Sequence, residues 1–134
     1  YAAPALKTAI GALLSALRLN ESTLVLAGFS QGGMMALHCG LRLHPVPAAI
    51  ISFSGALLGH TDLLATPDAA YPPVLLVHGS ADQVVPCSLM SEAVKILQTL
   101  GVVVDSVERP GLGHGIDPGG LTASITFLAS HITD

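Results

Sequence analysis

Ser30 stands in the segment GFSQGG, residues 28–33, between an apolar run at 23–28 and a helical pattern. The spacing matches G-x-S-x-G, in which glycines on both sides of the serine avoid clashes in a tight strand-turn-helix bend and so expose the hydroxyl. The bend also places a helix start beside the hydroxyl, where the Gln31 amide and the helix dipole favour negative charge. We therefore predict that Ser30 is a nucleophile and that Gln31 donates to an oxyanion. The alternative is a glycine-rich turn that only packs a helix against a strand.

A nucleophilic serine needs a base, and the base needs an acid that orients it. Asp82 follows the apolar run at 74–78, and His114 follows the run at 102–107 within the glycine-rich segment GLGHG. Because the carboxyl ends of parallel strands meet at one edge of a sheet, both side chains are expected near Ser30. His114 would take the proton of the Ser30 hydroxyl, and Asp82 would hold the required tautomer of His114.

Other polar residues fit structural roles. His78 ends a predicted strand and is expected to be hydrogen bonded there, and Asp117 precedes Pro118 as the N-cap of a helix. The remaining histidines lack partners at metal-ligand spacing, and they are His38, His44, His60 and His131. We therefore expect no metal site.

The elements that must position these residues follow from the hydrophobic pattern. Apolar residues on consecutive positions predict strands at 23–28, 48–53, 74–78 and 102–107. Helical spacing of apolar residues predicts helices at 4–18, about 31–43, 87–100 and 119–132. Alternating strands and helices predict βαβ units and a parallel sheet. The segment 54–73 is too long and too rich in glycine and proline for an ordinary connection, which is typical of functional or disordered loops.

Composition limits the class of protein. The chain has 134 residues, of which 51% are hydrophobic and 10% are charged, so one packed domain is expected. A net charge of -4 with only five Lys and Arg residues leaves no basic patch for nucleic acid. Because the sequence has neither an apolar run of membrane-spanning length nor a signal peptide, we expect no membrane span and a cytoplasmic location.

Three segments resemble one known family when they are taken together. GFSQGG, HGSADQVVP and GLGHG, in this order and at these intervals, are similar to the phospholipase/carboxylesterase family of α/β-hydrolases, which includes bacterial carboxylesterases and acyl-protein thioesterases. The resemblance extends from the strand at 23–28 through the last helix. It implies a three-layer α/β-hydrolase fold whose C-terminal part has about four parallel strands flanked by helices. It also implies Ser30 as nucleophile, Asp82 as acid, His114 as base and Gln31 as one oxyanion donor.

The expected activity is that of a cofactor-free serine hydrolase, which cleaves small carboxylic esters or thioesters through an acyl-enzyme intermediate. Leu57 and Leu58, in the long segment 54–73, would then line an acyl pocket, with packing in a satellite core as the alternative. Met34 and Met35 are interpreted as core residues of the helix that follows the nucleophile. The same fold also hosts lipases and peptidases, which are the alternative enzymes.

The sequence departs from the family at its beginning. Family members begin with further strands and an H-G-x-G-like loop that supplies a second oxyanion amide, whereas this sequence begins at the helix before the nucleophile strand. We expect residues 1–134 to be one α/β-hydrolase domain without its N-terminal part. An upstream segment, a second chain or another copy would then cover the edge of the strand at 23–28. The alternative from another class is a weak fragment or pseudoenzyme that serves as a binding or assembly module.

Overall fold

The computed structural model describes residues 24–65, 67 and 70–131. Within these ranges the strands are β1 (Val25–Phe29), β2 (Ala49–Phe53), β3 (Val74–Gly79) and β4 (Val104–Arg109). The helices are α1 (Gln31–Gly40), α2 (His60–Ala65), α3 (Ser88–Thr99) and α4 (Pro118–His131). The helix predicted at 4–18 lies outside the described residues.

The four strands form one parallel sheet in the order β1-β2-β3-β4, which confirms the predicted fold class. Phe53 of β2 pairs with Phe29 of β1 and with Val77 of β3, so these three strands end almost level. Since they run in the same direction, the loops that follow them share one edge of the sheet. This edge carries the residues that the sequence singled out for chemistry.

Both faces of the sheet are covered by helices. On one face Ile50 of β2 packs in a core cluster with Leu37 of α1 and Leu97 of α3. On the other face Ile51 and its neighbours pack against Phe127 of α4. The alternation of Ile50 and Ile51 between the two faces explains why β2 and β3 are apolar on consecutive positions and are fully buried.

The last strand begins and ends two residues later than predicted, since β4 covers Val104–Arg109 and not 102–107. β4 is an edge strand within the described sheet, and each of its residues is partly buried or exposed. Its polar residues still pair with β3, as Glu108 does with His78 and Arg109 with Gly79. A prediction based on apolar runs misses such polar residues because they do not need to be buried to pair.

The segment 54–73 contains α2, a helix that the hydrophobic pattern did not predict. Arg42, just after α1, donates hydrogen bonds to both carboxylate oxygens of Asp62 in the first turn of α2, at 2.8 and 3.4 Å. It also donates to the carbonyl oxygen of Gly59 at 2.8 Å. A six-residue helix is marginal on its own, so this tertiary contact helps to stabilise it.

The strand β1 forms the other edge of the described sheet. Its side chains are only partly covered there, and Ala27 and Phe29 are exposed, unlike the side chains of β2 and β3. The covering of this edge by another segment, chain or copy stays a prediction. In the part of the chain that the structure describes, no helix has the length and apolar character needed to cross a membrane.

Candidate active site

The turn between β1 and α1 places Ser30 beyond the edge of the sheet. Ser30 has φ 55° and ψ -117°, a conformation that L-residues rarely adopt. Its N–H donates to the carbonyl of Phe53 at 2.8 Å, and its carbonyl accepts from the N–H of Met34 at 3.0 Å. The strained serine is therefore held by hydrogen bonds to β2 on one side and within α1 on the other.

Glycine is required at one of the two positions that flank Ser30. A Cβ atom at Gly28 would overlap the backbone of Gly32, so the strand and the helix can approach only without a side chain there. A Cβ atom at Gly32 would meet nothing within 4 Å in the described ranges apart from its own helix. The expectation that both glycines avoid a clash is therefore wrong for Gly32, because the crowding involves its backbone and not the space its side chain would fill.

His114 lies between Ser30 and Asp82. Its Nε2 atom is 2.9 Å from the Ser30 Oγ, and its Nδ1 atom is 2.8 Å from the Asp82 Oδ2. An ionised carboxylate only accepts hydrogen bonds, so Nδ1 carries the proton and Nε2 is left to accept from the Ser30 hydroxyl. The ring of Phe29 packs against the imidazole, with the ring centres 4.8 Å apart and the planes tilted by 45°.

The side chain of Asp82 is fully buried, and both of its carboxylate oxygens accept hydrogen bonds. Its Oδ1 accepts hydrogen bonds from the N–H groups of Val84 at 2.9 Å and Val85 at 2.8 Å, while Oδ2 accepts from His114. Burial alone would raise the pKa of Asp82, but the hydrogen bonds from His114, Val85 and Val84 outweigh it. The pKa of Asp82 therefore lies below its ordinary value, and the side chain is a carboxylate at neutral pH.

His78 fixes the loop that carries Asp82. Its Nε2 lies 2.7 Å from the carbonyl oxygen of Val85 and 3.3 Å from the Asp82 Oδ2. A carbonyl oxygen only accepts, so this nitrogen carries the proton and ties the end of β3 to the far side of the loop. This is the strand-end role predicted for His78 from its position in the sequence.

The loop that carries His114 lies against the end of β3. The N–H of Gly111 donates to the Ser80 Oγ at 2.7 Å, and the N–H of Ala81 donates to the carbonyl of Leu112 at 2.9 Å. A Cβ atom at Gly79 would overlap the carbonyl oxygens of Leu112 and Gly113. The absence of a side chain at Gly79 therefore lets the His114 loop approach the sheet closely.

Asp117 follows this loop, and it makes an ion pair in addition to the N-cap contact that the sequence predicted. Its Oδ1 accepts from the N–H of Gly120 at 2.8 Å, as an N-cap of α4 does. Arg109, the last residue of β4, also places its Nε at 3.1 and 3.0 Å from the two carboxylate oxygens. The Gly120 hydrogen bond and then the Arg109 guanidinium lower the pKa of Asp117. The ion pair was missed because the contact joins two elements that the sequence pattern could not orient.

The amide of Gln31 lies at the first position of α1. The N–H groups of a first helical turn have no partner within their helix, and the positive end of the helix dipole lies there. This amide adjoins Ser30 and lies at the positive end of the helix dipole.

An apolar cavity of about 330 Å³ adjoins Gln31 and is lined by Met34, Met35 and Leu58. Leu58 is 51% exposed, whereas the adjacent Leu57 is 9% exposed and packs in the core with α1 and α3. The two leucines thus differ, and Leu57 does not line this cavity, because consecutive residues here face opposite directions. Met34 and Met35, interpreted from the sequence as core residues, line the cavity as well.

No three His, Cys, Asp or Glu side chains within the described ranges form a group that could hold a metal ion.

The sequence model of the phospholipase/carboxylesterase family matches residues 1–132. The chain belongs to the phospholipase/carboxylesterase family. The family is one of hydrolases, and the membership inferred from three short segments is therefore confirmed over nearly the whole sequence.

Curated relatives include proteins of fungi and of a mammal. The chain is 34% identical over 113 residues to acyl-protein thioesterase 1 of Gibberella zeae, a match that covers 81% of the chain and 48% of the relative. It is 32% identical over 103 residues to lysophospholipase-like protein 1 of Mus musculus, covering 74% of the chain and 43% of the relative. The chain thus spans less than half the length of these phospholipase/carboxylesterase relatives.

Solved structures agree with the observed fold. The crystal structure of esterase PE8 superimposes with a TM-score of 0.90 at 39% sequence identity, and the match covers 98% of this chain and 60% of that chain. SOBER1 of Arabidopsis thaliana superimposes with a TM-score of 0.88 at 23% identity, covering 98% and 63%, and supports the fold alone. The described sheet and helices are therefore part of a three-layer α/β-hydrolase fold.

Proposed function

We propose that this phospholipase/carboxylesterase chain is part of a serine hydrolase that cleaves carboxylic esters or thioesters through an acyl-enzyme. The observation that carries the proposal is the continuous line of hydrogen bonds from the Ser30 Oγ through His114 to Asp82, with distances of 2.9 and 2.8 Å. The Nδ1–H tautomer of His114 leaves Nε2 as the acceptor that a general base requires. Family membership supports the same reaction class.

In the first half of the reaction, the Ser30 Oγ attacks the substrate carbonyl carbon while its proton passes to the His114 Nε2. The carbonyl oxygen becomes an oxyanion, to which the Gln31 N–H donates. As the tetrahedral intermediate collapses, His114 returns the proton to the leaving alcohol or thiol, and the acyl group stays on Ser30. A water molecule then repeats the sequence, with His114 as base, and releases the acid.

Asp82 contributes by remaining ionised throughout. Its pKa is held below the ordinary value, so its negative charge is present at neutral pH and stabilises the imidazolium that forms on His114. Its side chain is shielded from water, which strengthens this interaction compared with a surface ion pair. The amides of Val84 and Val85 keep the carboxylate oriented toward His114.

The apolar part of the substrate is proposed to contact the cavity lined by Leu58, Met34 and Met35. The cavity adjoins Gln31 and therefore lies next to the carbonyl under attack. Its volume of about 330 Å³ is in the range of small-molecule sites. Methionine side chains adapt their shape to a ligand, so this cavity suits small acyl groups of different shapes.

The test is to express the natural full-length protein and measure its hydrolysis of p-nitrophenyl butyrate and of a butyryl thioester. Ser30→Ala should lower kcat by on the order of 10⁴-fold or more, with little loss of stability. Ser106→Ala, at an exposed position of β4, is the matched control and should retain activity. A fluorophosphonate probe should label Ser30, as mapped by mass spectrometry. Retention of most of the activity in Ser30→Ala, or labelling at another serine, would refute the proposal.

A further inference from the structure

We propose that the ion pair between Arg109 and Asp117 positions His114 by closing the loop that carries it. This inference rests on the proposed function, since it assigns a purpose to the placement of His114. Arg109 is the last residue of β4, and Asp117 precedes α4. The loop between them comprises residues 110–116, so the ion pair joins the two points at which the loop leaves and re-enters regular structure.

The loop has little intrinsic rigidity. Three of its seven residues are glycines, Gly111, Gly113 and Gly115, and Gly111 has φ 74°. Glycine restricts the backbone least of all residues, so such a loop adopts many conformations unless contacts select one. His114 needs one conformation, because it must reach Ser30 and Asp82 at the same time.

The hydrogen bonds with Ser80 and Ala81, which directly follow β3, hold only the first part of the loop. They bind Gly111 and Leu112, which precede His114. Asp117 holds the other end. It is tied to α4 by the N–H of Gly120 and to β4 by Arg109, so the residues after His114 have a fixed point as well.

Gly119 leaves the space that the side chain of Arg109 occupies in this ion pair. A Cβ atom at Gly119 would overlap the guanidinium of Arg109, so a glycine in the first turn of α4 lets the arginine lie across the helix start. The side chains of Arg109 and Asp117 are 32% and 24% exposed. Ion pairs that water reaches contribute little to stability, whereas small displacements of a reacting group are costly for the rate. The expected effect of the pair is therefore on turnover.

The experiment measures kcat, KM and melting temperature for three variants of the natural full-length protein: Arg109→Gln, Asp117→Asn and Gly119→Ala. We expect kcat for p-nitrophenyl butyrate to fall by roughly 10- to 100-fold in each variant, with KM unchanged, since a misplacement of about 1 Å can cost 10²-fold. Asn retains the cap to Gly120, and alanine favours a helix more than glycine does. Gly119→Ala should therefore lower kcat without lowering the melting temperature.

The matched control is Asp105→Asn. Asp105 lies 3.7 Å from His131, and the two join the same strand and helix at the ends opposite to the His114 loop. This variant should retain the wild-type kcat. If general support of the fold were the cause, loss of either contact between β4 and α4 would lower kcat. If Arg109 and Asp117 position His114, kcat falls only when their ion pair is lost.

Wild-type kcat in all three variants, in a protein that Ser30→Ala inactivates, would overturn the inference and leave the proposed function intact. A fall of melting temperature in parallel with kcat in all three, including Gly119→Ala, would also overturn it, because it indicates structural support only. If Ser30→Ala retains activity, the proposed function fails and this inference fails with it.

Discussion

Two serines at the edge of the sheet have nearly the same positive φ, which is unusual for a residue other than glycine. Ser30 follows β1 with φ 55°, and Ser54 follows β2 with φ 54°. Each donates its N–H to the next strand, Ser30 to Phe53 and Ser54 to Val77, at 2.8 Å in both cases. Such backbone strain is maintained only where surrounding contacts hold it, and it is common at functional sites. The pattern G-x-S-x-G is typical of a strained turn at Ser30, whereas no comparable pattern predicts a positive φ at Ser54.

The carboxylate of Asp82 can be tested at the level of a single atom. Asp82→Asn keeps an oxygen for the amides of Val84 and Val85, but it places an amide donor opposite His114 and favours the wrong tautomer. We expect kcat for p-nitrophenyl butyrate to fall by roughly 10³- to 10⁴-fold in the full-length protein. Asp105→Asn, on the exposed side of β4, is the control. Equal kcat values for the two variants would contradict the role of Asp82.

At the scale of elements, the position of Ser30 depends on how closely β1 approaches α1. The backbone of Gly32 occupies the space that a side chain at Gly28 would need. The neighbouring atoms are backbone atoms on both sides, so neither can move without shifting a strand or a helix. The approach is therefore fixed by the absence of one side chain.

Gly28→Ala should destabilise the fold by about 1–3 kcal/mol or more, as overpacking against a rigid neighbour does. Gly32→Ala adds the same methyl group where the described residues leave space, and alanine favours a helix, so the free energy of unfolding should not fall. Urea unfolding followed by circular dichroism measures both. The prediction fails if Gly32→Ala costs as much free energy as Gly28→Ala.

Elements with regular apolar patterns were predicted best. Strands β2 and β3 are buried on both faces, so nearly every residue is apolar and the run marks the strand. The short helix α2 depends on Arg42, which is distant in sequence, and β4 continues into the charged residues Glu108 and Arg109. Neither feature is encoded in a local pattern. The same reason explains why the order of Ser30, Asp82 and His114 was readable, whereas the ion pair of Arg109 with Asp117 was not.

On the scale of the whole molecule, the stability of the fold depends on pH through three aspartates among the described residues. The pKa of Asp62 is lowered by Arg42, and that of Asp117 by the N–H of Gly120 and then by Arg109. The pKa of Asp82 is also lowered, because its hydrogen bonds outweigh the effect of burial. Each carboxylate therefore binds a proton less readily in the folded state than in the unfolded state.

This linkage predicts the direction of acid destabilisation. Above the unfolded pKa of about 4, the three carboxylates contribute their full stabilisation, which is lost as the pH falls through that value toward the lower folded pKa. The free energy of unfolding, measured with urea between about pH 3 and pH 7, should fall below about pH 4. Asp117→Asn should show a smaller decrease. A free energy that stays level to about pH 3, or an equal decrease in the variant, would contradict this linkage.

The hydrogen bond between Ser30 and His114 joins residues that are 84 positions apart in sequence. Under the proposed function, a ribosome adds the nucleophile Ser30 first and its base His114 only after β3, α3 and β4. Until His114 has been added, Ser30 would be an ordinary hydroxyl with no base to accept its proton. The proposed reactivity would arise only when β4 has paired with β3 and the loop after β4 brings His114 to Ser30. A fluorophosphonate probe should therefore label Ser30 in completed chains and not in nascent chains.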